Sequence, residues 1–337
     1  MGRCHPMPFC EWSRNDWMKV HEFEEKRLLA VKIFYIFIII FTIFGNILVL
    51  VATWREKKLH QPNKYLIACL AVADLLVGSL VIPLRLYRLH LTKTETFAIS
   101  IHLHRFMFWI ETMAITTSVY TMTIISFDRY LKISKSLQYR LRMTTSRLRK
   151  IIFVTGLFSA SFSTYLTIPR AGSKTSLFVK DKKLLKEIQT ALAVVGFFVP
   201  TIVMLVMYAL IFIVAHKRQK MLRNGNLGQI SNPLGQRTAL RNDVKVIRML
   251  FLVVGLFILC WGPFFTSWLL ALYYPNFPDY DETSVSYWIR LEKINTAIME
   301  ILPMFNSMCN PIIYAWLDLT YRKAFKKLFQ QMICRRN

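Results

Sequence analysis

Apolar positions in this chain gather into runs of about twenty residues or more, long enough as helices to cross roughly 30 Å of hydrocarbon. Seven such runs fall at about 28–54, 64–89, 98–132, 150–169, 188–216, 244–273 and 286–316. They predict an all-α membrane protein, a seven-transmembrane helix bundle, because a helix satisfies its own backbone where water is absent. A further segment, Asp318 to Cys334, is amphipathic. Its Phe325, Leu328, Phe329 and Met332 recur at helical spacing while Arg322, Lys323, Lys326 and Lys327 take the other face, as in a helix lying flat on a bilayer. The chain therefore divides into an N-terminal segment 1–27, a bundle 28–316, and an amphipathic helix with tail 317–337.

The connections alternate in charge. Segments 55–64, 132–150, 217–248 and 322–337 hold 25 Lys and Arg with few acids, whereas the opposite set carries Glu22, Glu24, Glu25, Asp279, Asp281 and Glu282. The positive-inside rule then puts the N-terminus outside and the C-terminus in the cytosol of a multi-pass plasma-membrane protein. A formal net charge of +25 is on this reading mostly topology, with added attraction to anionic lipid, and not the groove of a nucleic-acid binder. No short apolar leader precedes the first run, so that run is expected to act as its own insertion signal. The loop 217–243, with Gly225, Gly228 and Gly235, reads as flexible.

Cysteines are few. Cys69, Cys260 and Cys309 lie in apolar runs and read as packing residues, while Cys4 and Cys10 read either as a bridge or as two free thiols. No internal repeat, phosphate loop, zinc-protease helix or nucleophile elbow occurs, which disfavours transporters and enzymes.

Charged side chains cost about 2.5–3.5 kcal/mol at the middle of a membrane helix, so each one present there needs a partner or a purpose. Asn46, Asp74, Ser118, Asn306, Ser307 and Asn310 sit at depths that converge, either as a hydrogen-bonded polar plug or as a site for one cation. Glu111 and Arg129 are eighteen residues apart, five turns, and so share one face of the third helix about 27 Å apart. Glu300 supplies a second carboxylate at a depth similar to Glu111. Arg85 and Arg88 are candidate counter-ions for these acids, so each glutamate reads either as a ligand anchor or as half of an internal ion pair. At the other end Asp128-Arg129-Tyr130 sets an acid beside the arginine, and Asp243 is placed to reach the same guanidinium. Pro263 kinks the sixth helix, and Phe257 and Trp261, four apart, share its inner face.

Taken in order, Gly45-Asn46, Leu70-Ala71-Val72-Ala73-Asp74, Asp128-Arg129-Tyr130, Pro200 with Tyr208, Cys260-Trp261-Gly262-Pro263 and Asn310-Pro311-Ile312-Ile313-Tyr314 resemble the signature positions of the rhodopsin-like G-protein-coupled receptors, loosely the biogenic-amine group. The resemblance implies a receptor that binds an extracellular ligand and activates heterotrimeric G proteins, not an enzyme. It implies no cofactor beyond an allosteric sodium ion, held through Asp74 with Ser118, Asn306, Ser307 and Asn310. It implies a packing switch of Val119, Pro200 and Phe257, and activation residues Arg129, Tyr208 and Tyr314. Leu137 would contact the G protein, and Cys334 would carry a lipid. Glu111 aligns with the aspartate that holds a ligand ammonium in aminergic relatives, with Glu300, Trp261, Phe264, Phe265, Leu192 and Gly196 as further ligand-binding residues.

Three departures stand out. His104 occupies the position where most relatives have a disulfide cysteine, Gly156 stands where the fourth helix normally has a tryptophan, and Ser136 replaces a usual proline. Leu192, Ala193 and Gly196 offer no hydroxyls to a catechol. A small cationic amine is the leading ligand; a basic peptide or ligand-free constitutive activity is the alternative. A transporter is disfavoured further by the apolar layer of Val119, Phe257 and Trp261 between the two polar clusters.

Overall fold

The first helix begins well ahead of its apolar run. Ser13 Oγ accepts a hydrogen bond from Asp16 N while the Asp16 carboxylate accepts from Ser13 N, a reciprocal cap that fixes the start of α1 (Arg14–Arg55). Its 42 residues span about 63 Å, twice the hydrocarbon thickness, so the stretch before the apolar run stands clear of the bilayer. The computed structural model describes residues 12–56, 62–90, 101–134, 139, 143–167, 182–223, 233–274 and 285–334, with no strand among them. The further helices are α2 (62–90), α3 (Ile101–Ser134), α4 (Thr145–Thr167), α5 (182–223), α6 (Pro233–Tyr273), α7 (285–317) and α8 (Leu319–Cys334).

The packing is inside out by the standards of a water-soluble bundle. Phe153, Phe212 and Leu259 are about 70% exposed, whereas Asn46, Asp74, Asn310 and Asp128 are fully buried. Among the described residues four helical stretches are long and apolar enough to cross a membrane by composition: Arg14–Arg55, Lys64–Leu89, Lys186–Met221 and Ile247–Tyr273. The other three long helices carry more polar residues, and these turn inward. Thr112, Thr116, Thr121 and Ser126 are buried on α3, Thr155, Ser159 and Ser163 at four-residue intervals on α4, and Asn306, Ser307 and Asn310 on α7. Small hydroxyl residues on a buried face let membrane helices approach closely. α3 packs against α2, α4, α5 and α6 and so forms the axis of the bundle, while α1 packs on α2, α7 and α8.

Three helices widen for one turn into π geometry, α2 at Val77–Val81, α5 at Val194–Phe198 and α7 at Ala297–Ile301. Such a turn opens the regular backbone ladder and frees carbonyls for outside partners. Tyrosines on neighbouring helices use two of them: Tyr120 of α3 donates to Val195 O at 3.1 Å, and Tyr35 of α1 donates to Glu300 O at 3.3 Å. At the third, Gly78 admits α1, since a Cβ there would lie 2.9 Å from Thr42 Cγ2.

Gly45 does the same for α7. A Cβ added to it would meet Pro311 Cβ at 2.9 Å, a rigid ring that cannot swing away, whereas one added to Gly156 meets nothing within 4 Å. Gly45→Ala should therefore cost about 1–3 kcal/mol through overpacking and lower the melting temperature of detergent-solubilised protein. Gly156→Ala should hold or slightly raise it; equal melting of the two variants would contradict this packing.

Candidate functional site

At the Glu111 end, four helices are tied together by charge. Arg85 of α2 forms an ion pair with Glu111 of α3, and the Tyr35 hydroxyl of α1 neighbours the same guanidinium. Arg27 of α1 pairs with Glu24 at 2.7 Å, reaches Glu300 of α7 at 3.6 Å and Glu292 at 3.9 Å, and donates to Thr296 Oγ1 at 3.3 Å. Both candidate anchors thus already hold an internal arginine. Of the two candidate counter-ions, Arg85 has turned inward and Arg88 is exposed. Arg27 and Tyr35 were not legible as site residues, because one lies just before the apolar run and the other is a single tyrosine among aliphatics.

Below this layer sits an aromatic ladder. Trp261 contacts Phe264 and Phe265 with ring centroids 5.6 and 5.9 Å apart, Phe265 stacks on Phe197 at 4.8 Å, and Phe197 meets Phe257 at 5.5 Å. Ring-to-ring contacts thus link Trp261 to Phe257 by way of Phe265 and Phe197 of α5. Phe197 lies in the π turn of α5, whose shifted register presents it to α6, a displacement that helical periodicity cannot reveal. Val119 and Pro200 are buried at this level. Leu192 is buried and packs toward Gly196, where a Cβ would meet Leu192 Cδ1 at 3.3 Å.

The next layer is polar. Asn310 Nδ2 donates to Asp74 Oδ2 at 2.8 Å, Ser307 lies beside the same carboxylate, and Asn46 Nδ2 donates to Thr42 O at 2.9 Å and Ser307 O at 3.2 Å. Asn306 is buried beside them in sequence. Ser118 is buried on α3, and its Oγ, like Asn46 Oδ1 and Asn310 Oδ1, has no hydrogen-bond partner among the described residues. One carboxylate with spare hydroxyl and amide oxygens is the donor chemistry of a hard monovalent cation.

At the far end Arg129 Nη2 donates to Asp128 Oδ2 at 2.8 Å, and Asp128 Oδ1 accepts from the Tyr139 hydroxyl at 2.7 Å. Burial, and then the Asp128 carboxylate, hold the Tyr139 phenol well above its usual range. Tyr139 escaped the sequence reading as a lone aromatic in a basic loop. Tyr130 is half-buried, the Tyr208 hydroxyl is buried beside Ser126, and the Tyr314 hydroxyl is buried without a hydrogen-bond partner among the described residues. Leu137 lies outside the described residues, as do the side chains of Asp243 and Cys334.

Close by, Lys64 of α2 makes a buried ion pair with Asp318 at the α7–α8 corner and lies 4.5 Å over the Tyr321 ring. Asp318 also caps α8, accepting from Thr320 N at 2.8 Å and Tyr321 N at 3.2 Å. The Tyr321 hydroxyl shares a hydrogen bond of 2.9 Å with Thr53 of α1, and its ring stacks on Tyr314 at 5.7 Å. The aromatic and charged partners come from three separate runs, so no local pattern announces the corner.

A layered polar axis thus runs inside a bundle of long helices, with Arg129 at one end and Pro263 inside α6. The model of the 7 transmembrane receptor (rhodopsin family) matches residues 45–314, and the chain belongs to that family. Its relatives include the octopamine receptor beta-2R of Chilo suppressalis, 28% identical with 88% of this chain and 78% of the relative covered. Trace amine-associated receptor 2 of Mus musculus is 27% identical over 86% of this chain and 81% of its own length. The 5-hydroxytryptamine receptor 2C of Rattus norvegicus is 26% identical over 86% and 70%. Membership makes the protein a multi-pass G-protein-coupled receptor of the plasma membrane, a signalling receptor and not an enzyme.

The α8 corner yields a test. Asp318→Asn keeps a capping oxygen but leaves the Lys64 ammonium buried without its anion, and should cost about 3–5 kcal/mol. Adding Lys64→Met should restore most of the loss, read as melting temperature in a double-mutant cycle. Additive losses would mean that the two residues do not act as a pair.

Proposed function

We propose that this receptor takes a small cationic amine at its extracellular Glu111 end and passes the signal to a heterotrimeric G protein at the cytosolic Arg129 end. The carrying observation is the ion-paired cluster of the upper layer, in which four carboxylates, Glu24, Glu111, Glu292 and Glu300, share two arginines, Arg27 and Arg85. A net negative, partly dehydrated cluster attracts a cation and repels an anion. Relatives named for octopamine, trace amines and 5-hydroxytryptamine support the same ligand class. Leu192, Ala193 and Gly196 supply no hydroxyl from α5, which weighs against catecholamines. The basic loops adjoining Arg129 support the cytosolic assignment of that end.

In this reading the aromatic ladder carries ligand contact from Trp261 to Phe257, and α6 moves about Pro263. Arg129 then leaves Asp128, with Tyr208 and Tyr314 supplying hydroxyls to the opened face. Glu111→Gln should weaken responses to amines by roughly tenfold to a hundredfold while surface expression persists, measured as second-messenger dose–response curves. Unchanged potency would reject Glu111 as the ammonium's partner.

The oxygen set around Asp74 supports an allosteric sodium ion. Sodium should lower agonist affinity in membranes from cells expressing the receptor, relative to an organic cation at equal ionic strength. Asp74→Asn should remove that difference; an identical sodium effect in the variant would place the ion elsewhere.

A further inference from the structure

The pair at the centre of the upper layer is a poor match for an amine alone. Arg85 and Glu111 are largely shielded, with side-chain exposures of 13% and 23%, and Arg85 Nε is buried without a hydrogen-bond partner among the described residues. An ammonium that took Glu111 away from Arg85 would leave a guanidinium enclosed by α1, α2 and α3 with no anion beside it. Arginine cannot escape by losing its proton. Stranding one member of a buried pair is far more costly than the pair itself is favourable. Glu300 lies with the neighbouring cluster, its Oε1 3.6 Å from Arg27 and its Oε2 buried without a hydrogen-bond partner among the described residues, so it would have to leave Arg27 to follow Arg85. A ligand that brings its own anion avoids the problem. Its ammonium meets Glu111 while its carboxylate takes the planar fork of Arg85 through two parallel hydrogen bonds.

We propose that the preferred ligand is a zwitterion, an amine that also carries a carboxylate, and that Arg85 is the residue that selects it over the corresponding simple amine. The proposal rests on Glu111 being the partner of the ligand's ammonium. It reads the Arg85–Glu111 bridge as a resting contact whose two halves are exchanged together, so that neither charge is left alone in a dry site.

The test uses the purified full-length receptor in detergent, with thermal stabilisation as the measure of binding. Three zwitterions, tyrosine, β-alanine and γ-aminobutyrate, are compared with tyramine, ethylamine and propylamine, their counterparts lacking the carboxylate. At least one zwitterion should stabilise the wild-type receptor at a concentration about tenfold below that needed for its amine. Arg85→Met should abolish or reverse this order, weakening the zwitterion about tenfold or more without weakening the amine, while Arg85→Lys should keep the wild-type order. Glu111→Gln should weaken both. If Glu111→Gln changes neither, the amine reading itself falls; if it weakens both and Arg85→Met leaves their order intact, only the zwitterion proposal falls. Wild-type receptor that prefers the amines, or binds none of the six at millimolar concentration, overturns the proposal without any variant. Arg85→Gln replaces Arg85→Met should the latter not yield folded protein.

Discussion

A polar group turned into this bundle has no water to fall back on, and the polar helix-to-helix contacts follow from that constraint. Four of the buried charged groups find a partner on another helix. Arg27 joins α1 to α7, Arg85 joins α2 to α3, and Lys64 joins α2 to the α8 corner, while Asp74 reaches Asn310 across to α7. α2 is thereby fixed at three depths. These contacts do more than offset desolvation, because they set the rotation of each helix about its axis, which the non-directional packing of aliphatic side chains leaves loose. Asp128 and Arg129 differ, being neighbours on a single helix. Beyond Tyr139, whose hydroxyl donates to Asp128, the pair fastens no other element, and it can change partners without dragging a second helix along.

α6 stands apart for a related reason. Among the described residues it makes no interhelical ion pair, and its middle is held by rings, Phe257, Trp261, Phe264 and Phe265 against one another and against Phe197. Aromatic faces and edges have several arrangements of similar energy, whereas a broken buried salt bridge has none. With Pro263 removing one backbone bond from the same stretch, the helix that can bend is also the helix whose contacts can slide. The electrostatically fastened α2 and the aromatically lubricated α6 together give a frame with one movable wall.

The sequence carried the fold well, since seven apolar runs, the internal prolines Pro200, Pro263 and Pro311 and the order of the signature residues all survive into the structure. Asp74 with Asn310 and Asp128 with Arg129 were legible too, because an ion in oil advertises its need for a partner, whereas Arg85 and Arg88 stood as equal candidate counter-ions until the helix turned Arg85 inward. What could not be read is everything that depends on helix irregularity or on meetings between distant runs. The π turns at Val77, Val194 and Ala297 leave no mark in a hydropathy pattern, yet they aim Phe197 at α6 and free the carbonyls that Tyr35 and Tyr120 occupy. Arg27, Tyr139 and the Lys64–Asp318–Tyr321 corner are likewise ordinary residues until the chain brings them side by side. The start of α1 was legible only in its cap: Ser13 and Asp16 have capping-box spacing, but the apolar run alone placed the helix some fourteen residues later.

That early start turns α1 into a splint. Residues 14–27 continue the membrane helix for about 20 Å, tied at Arg27 to Glu300 and Thr296 on α7 and further out, through Phe23 and Trp12, to the Trp288 ring of the same helix. The outer turns of α1 and α7 are therefore laced along their length, so a tilt of one carries the other with it.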